Sequence, residues 1–125
     1  MYEITVTKVF SAAHAIRLQD GSLEPVHGHD WSVQVTVAAD QLDEIETVMD
    51  FHVLEKQIDG IIQGFNNRCL NEVEPFLDGA VNPTAERVAE WIGKQVARNL
   101  PKRVRLISSS VTEAPGCKST YCPGG

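Results

Sequence analysis

Two stretches that alternate apolar and polar residues constrain this chain more than anything else in it. In residues 2–14, Tyr2, Ile4, Val6 and Phe10 share one parity, interrupted by Lys8, and His14 falls on that parity too. From about Gly28 to Ala39, Trp31, Val33, Val35 and Val37 alternate with Asp30, Ser32, Gln34 and Thr36, and His27 and His29 share the apolar parity. A period of two marks a strand with one buried face. Two such strands side by side bring three imidazoles to one face at one end of a sheet. Three neutral histidine nitrogens with an open fourth position form the donor set of a catalytic zinc site rather than a closed structural one. The chain has only 4 histidines, so this trio uses most of them. The remaining one, His52, reads as an exposed helix residue.

The rest of the chain completes the layout. Residues 15–26 read as a loop, with Asp20-Gly21-Ser22 and Pro25 as turn signals. Asp50 caps a helix that begins at Phe51, whose stripe runs through Leu54, Ile58, Ile61, Ile62 and Phe65 and ends at Asn66-Asn67. Asn82-Pro83 opens a second helix with a stripe of Ala85, Val88, Ala89, Ile92 and Val96, and Pro101 stops it. Val104, Leu106 and Ser108 to Thr112 predict a third strand, and Lys118 to Cys122 a short fourth. The order ββααββ, with helices segregated on an antiparallel four-stranded sheet, is an α+β fold. Its 125 residues suit one domain, 1–125. Long apolar strands at a sheet edge invite pairing with another chain, so a homo-oligomer is expected.

Bulk properties narrow the function. A formal net charge of −6 argues against a general nucleic-acid binder. No apolar run reaches the length of a membrane span. Met1 to Thr5 shows no secretory signal pattern, and Cys69, Cys117 and Cys122 have no CxxC spacing, which together suggest free thiols in a reducing cytoplasm. Pairing or metal binding by Cys117 and Cys122 is the alternative reading.

Phe10-Ser11-Ala12-Ala13-His14, His27-Gly28-His29-Asp30-Trp31, Asp50-Phe51, Leu70-Asn71, Asn82-Pro83-Thr84-Ala85-Glu86 and Thr112-Glu113 occur in this order. The pattern resembles the 6-pyruvoyl-tetrahydropterin synthase family, which includes 6-carboxy-tetrahydropterin synthases. The resemblance implies a tunnelling fold, with trimers closed into a barrel, commonly stacked as hexamers, and active sites between subunits. It implies that His14, His27 and His29 bind Zn2+. It implies that Glu113 anchors a pterin ring, with Thr84 assisting. A carboxylate suits that role because it accepts two parallel hydrogen bonds. The substrate implied is 7,8-dihydroneopterin triphosphate.

The sequence departs from the family pattern at two places. The catalytic cysteine expected before His-Gly-His is missing from Gly21-Ser22-Leu23-Glu24-Pro25-Val26-His27, where Glu24 is the candidate replacement. The Asp-His relay expected before Leu-Asn is replaced by Asn66-Asn67, and asparagine is no general base at neutral pH. A variant group in the family carries glutamate near this place and resembles enzymes that release 6-hydroxymethyl-dihydropterin. The reading is therefore a zinc-dependent pterin lyase with Glu24 as base. The alternatives are 6-pyruvoyl- or 6-carboxy-tetrahydropterin synthase activity, or a catalytically degenerate pterin-binding protein.

Overall fold

The computed structural model describes residues 1–124. Its elements are β1 (Tyr2–His14), β2 (His27–Ala39), α1 (Phe51–Ile62), β3 (Arg68–Cys69), α2 (Ala85–Arg98), β4 (Arg105–Ala114) and β5 (Cys117–Tyr121). A short 3-10 turn covers Leu70–Glu72. The strands form one sheet in the order β3-β1-β2-β4-β5. The sheet has five strands rather than four, because the two residues of β3 pair in parallel with Ala12 and Ala13 of β1. A two-residue strand carries no period, so nothing in the sequence marks it.

The register of β1 on β2 positions the site. Phe10 lies opposite Trp31, Ala12 opposite His29 and His14 opposite His27. The alternating apolar sets thus stay in phase, and the three histidines continue the buried face beyond the last apolar pair. Phe10 and Trp31 stack with their rings 6° from parallel, and the Trp31 indole N–H donates to the Ala12 carbonyl at 3.1 Å. Trp31 is fully buried with no polar atom left over, and it walls the histidine end of the core.

Both helices cover the same face of the sheet. The α1 helix buries Leu54, Ile58 and Ile62, and Asp50 accepts a hydrogen bond from the His52 amide as its cap. The α2 helix buries Val88, Ala89, Ile92 and Val96. It starts at Ala85, two residues after the expected Pro83, because Thr84 is its cap and accepts from the Arg87 amide at 3.2 Å. Gly93 lets α2 approach the sheet. A Cβ there would sit 2.9 Å from the Cβ of Ser109 and 3.0 Å from Cδ2 of Tyr121. Cys69, Cys117 and Cys122 are all free, and His52 is exposed. No helix among the described residues is long and apolar enough to cross a membrane.

Candidate metal and active site

The three histidines converge as their parity requires. Their ring centroids lie 4.7 Å apart for His14 and His27, 4.7 Å for His27 and His29, and 5.3 Å for His14 and His29. The planes are close to perpendicular for each pair involving His29, so the rings meet around a point rather than stack. Trp31 makes T-shaped contacts with both His14 and His29. Glu113, from β4, adds a carboxylate. One ligand atom from each of His14, His27, His29 and Glu113 falls within 4.8 Å of the others.

Two main-chain carbonyls fix the tautomers. Nδ1 of His14 bonds the Pro83 carbonyl at 2.7 Å, and Nδ1 of His27 bonds the Pro25 carbonyl at 2.9 Å. A carbonyl only accepts, so both Nδ1 atoms carry the proton, and in the neutral rings each Nε2 presents a lone pair. Burial lowers the pKa of His29, with the Glu113 carboxylate opposing that shift.

This arrangement leaves a deficit of positive charge. Nε2 of His14 and Nε2 of His29 are buried without a well-aligned hydrogen-bond partner. Yet Oε1 of Glu113 lies 2.7 Å from the first and 3.3 Å from the second. At His14, whose Nδ1 carries the proton, a lone pair and a carboxylate oxygen at that separation repel unless a cation or a proton lies between them. Three imidazole nitrogens meeting around one point, with a carboxylate beside them, are a donor set that suits zinc. The residues therefore fit the metal that the histidine spacing implies.

Glu24 stands at the rim. Its Oε1 accepts from the Ile16 amide at 3.0 Å and lies 3.7 Å from Nδ1 of His27. It is thus beside His27, on the side of the ring away from the Nε2 lone pair. Thr84 is placed by the α2 cap, one residue from the carbonyl that holds His14. Asn66 and Asn67 fasten the outer edge of β1. The Asn66 side chain accepts from the Ser11 amide at 2.9 Å, and the Asn67 amide donates to the Ser11 carbonyl at 2.6 Å. Asn67 has φ of 61°, a left-handed conformation that asparagine tolerates well. An open depression of about 590 Å3 on the other side of these strands reaches His29 and is lined by Ser11, Gly28, Asn67 and Arg68 among others.

Sequence reasoning placed His14, His27 and His29 in one constellation and gave Glu113 to a pterin ring, without foreseeing that its carboxylate meets the imidazole nitrogens. It missed the carbonyls of Pro25 and Pro83, which set the ring tautomers. Main-chain acceptors leave no compositional signal, and here only the fold reveals them.

Comparison with known proteins agrees with this geometry. The family model described as 6-pyruvoyl tetrahydropterin synthase matches residues 3–123. The chain is 38% identical over 106 residues to the dihydroneopterin monophosphate aldolase of Pyrococcus furiosus, covering 83% of this chain and 82% of that protein. It is 33% identical over 128 residues to the 6-carboxy-5,6,7,8-tetrahydropterin synthase of Bacillus subtilis, covering 98% and 86%. The solved 6-pyruvoyl tetrahydropterin synthase of Caenorhabditis elegans superposes with a TM-score of 0.80 at 23% identity, over 99% of this chain and 98% of that one. The match spans nearly every residue that builds the sheet, the helices and the histidine cluster, and the chain belongs to the 6-pyruvoyl tetrahydropterin synthase family.

Proposed function

We propose that the chain is a zinc-dependent lyase that cleaves the side chain of a 7,8-dihydroneopterin phosphate and releases 6-hydroxymethyl-dihydropterin. The observation that carries this reading is the charge deficit among His14, His27, His29 and Glu113, together with Glu24 where the family pattern has a cysteine. The aldolase relative from Pyrococcus furiosus supports the same choice of product.

His14, His27 and His29 would hold the metal through Nε2. A zinc ion there supplies Lewis acidity that lowers the pKa of a coordinated side-chain hydroxyl. Glu113 anchors the pterin through paired hydrogen bonds, and Thr84 contributes beside it. Glu24 is the base. The Ile16 amide occupies Oε1, so the proton of the C2′ hydroxyl goes to Oε2. The C1′–C2′ bond then breaks, C2′ becomes an aldehyde, and its electron pair passes to C1′ and into the C6–N5 imine of the dihydropterin. Return of the proton to C1′ leaves the hydroxymethyl group, and the other product is a glycolaldehyde phosphate. The phosphoester is untouched, so this chemistry serves a monophosphate or a triphosphate.

The same reading carries a homo-oligomer, a trimer or hexamer, supported by the bare outer edge of β1. Native mass spectrometry then gives a multiple of 13.8 kDa, and a monomer at working concentration removes this part of the proposal.

The functional test is incubation of the zinc-loaded protein with 7,8-dihydroneopterin mono- and triphosphate, with products identified by mass. The expected product is 6-hydroxymethyl-dihydropterin, lost in Glu24→Gln. A pyruvoyl or carboxy product overturns the choice of reaction. Saturable pterin binding without any product makes the chain a binding protein.

A further inference from the structure

We infer that Asn71 and Asn82 are positioning residues of the metal site, acting through the backbone of Ala15, Ile16 and Arg17. This rests on reading the histidine cluster as a metal site. His14 is the last residue of β1, and the chain leaves it through these three residues.

Each of the three has both main-chain polar groups bonded to one partner residue, which is distant in sequence for Ala15 and Arg17. The Ala15 amide donates to Oδ1 of Asn71 at 2.9 Å, and Nδ2 of Asn71 donates back to the Ala15 carbonyl at 2.8 Å. The Arg17 amide donates to Oδ1 of Asn82 at 2.8 Å, and Nδ2 of Asn82 donates to the Arg17 carbonyl at 2.9 Å. Between them, the Ile16 amide donates to Oε1 of Glu24, and the Glu24 amide donates to the Ile16 carbonyl, both at 3.0 Å. A carboxamide carries an acceptor and a donor side by side, so one asparagine does for one residue what a neighbouring strand does for a ladder. The two asparagines are 56 and 65 residues away in sequence from the residues they hold. No local turn or cap explains these contacts.

The clamp acts on the ligands from two sides. Asn71 and Asn82 fix the strand exit next to His14. Asn82 also directly precedes Pro83, whose carbonyl orients the His14 ring and sets its tautomer. The middle bond holds Glu24, three residues before His27. Loss of either carboxamide frees the backbone beside one ligand, and loss of Asn82 also frees the carbonyl behind it. Partners behind a ligand histidine typically carry a 10–100-fold share of metal affinity.

The test is competition for zinc between a chelator and the metal-depleted protein, for wild type, Asn71→Ala, Asn82→Ala and the core control Ile58→Val. Wild type must bind zinc first, and failure there sinks the metal reading itself. Given binding, each asparagine variant is expected to lose about 10–100-fold in zinc affinity, with an altered visible spectrum of the Co2+ form. Ile58→Val is expected to lower the melting temperature and leave both unchanged. Folded asparagine variants that bind zinc like wild type overturn the inference. If neither variant folds, hydrogen exchange on wild type decides. Zinc is expected to slow exchange of the Ala15 and Arg17 amides at least tenfold more than that of Ile107, and an equal effect overturns the inference.

Discussion

The two halves of β1 lie in one strand, share one partner on their inner side and differ on their outer side. From Tyr2 to Phe10, the outer edge has no strand partner among the described residues. From Ser11 onward the edge gains partners, and so does the chain just beyond the strand. Asn66 and Asn67 bond Ser11, β3 pairs with Ala12 and Ala13, and Asn71, Glu24 and Asn82 take Ala15, Ile16 and Arg17 in turn. The bare half buries ordinary apolar residues, Val6 and Phe10, while the covered half ends on His14. Hydrophobic packing tolerates small shifts, but metal ligands must be held to within about half an ångström. Under the proposed metal binding, the extra main-chain partners are concentrated where that tolerance is tightest, and the uncovered edge is left where another chain can add.

The largest expected effects separate the two halves directly. His14→Ala is expected to lower zinc affinity by more than the ~100-fold that changes behind a ligand reach, and to abolish turnover. Val6→Ala, on the same face of the bare half, is expected to cost roughly 1–3 kcal/mol of stability and leave zinc binding intact. Metal content after dialysis and thermal melts check both. Stoichiometric zinc in His14→Ala would break the comparison at its root. Glu113→Ala comes next. If Glu113 anchors the pterin, kcat/KM falls about 100-fold while zinc stays bound. Zinc lost together with activity would instead make Glu113 a fourth ligand, which its 2.7 Å approach to Nε2 of His14 also permits.

Gly93→Ala sits outside both halves and tests packing alone. The new methyl meets Ser109, Tyr121 and Leu106 at 2.9–3.2 Å. The overlap costs roughly 1–3 kcal/mol, against a helix-propensity gain of about 1 kcal/mol. A net loss of stability with unchanged zinc affinity is expected in a denaturant titration. A stabilised variant would mean that α2 shifts away from the sheet at little cost.

What the sequence reveals follows from which interactions leave a period behind. The alternation in residues 2–14, broken only at Lys8, places β1 at Tyr2–His14, and the β2 pattern lies within one residue of His27–Ala39. The stripe of Leu54, Ile58 and Ile62 marks α1 for the same reason, but the pattern runs on to Phe65 while the helix ends at Ile62, because Phe65 is buried from the turn that follows. The histidine constellation is legible because its members sit on those periods. The strand β3 is too short to have one. The clamps of Asn71 and Asn82 join residues more than fifty positions apart through side-chain amides, and such pairs have neither period nor fixed spacing. The start of α2 shows the same limit. Asn82-Pro83 has the composition of a helix opening, but Asn82 is bonded to Arg17 and the Pro83 carbonyl to His14, so Thr84 becomes the cap.

Thr84 carries the smallest expected effect and sharpens the boundary of the covered half. It directly follows the Pro83 carbonyl that holds His14, yet its own hydroxyl faces the Arg87 amide of α2. Loss of an N-cap hydroxyl typically costs about 1 kcal/mol. Thr84→Ala is therefore expected to lower the melting temperature by a few degrees, with zinc affinity unchanged, because the clamp at Asn82 remains. Thr84→Ser keeps the cap and is expected to melt like wild type. The pterin KM of Thr84→Ala then separates its two roles. A rise beyond the stability effect, absent in Thr84→Ser, places the hydroxyl against the ring, whereas an unchanged KM confines Thr84 to the helix and leaves ring recognition to Glu113.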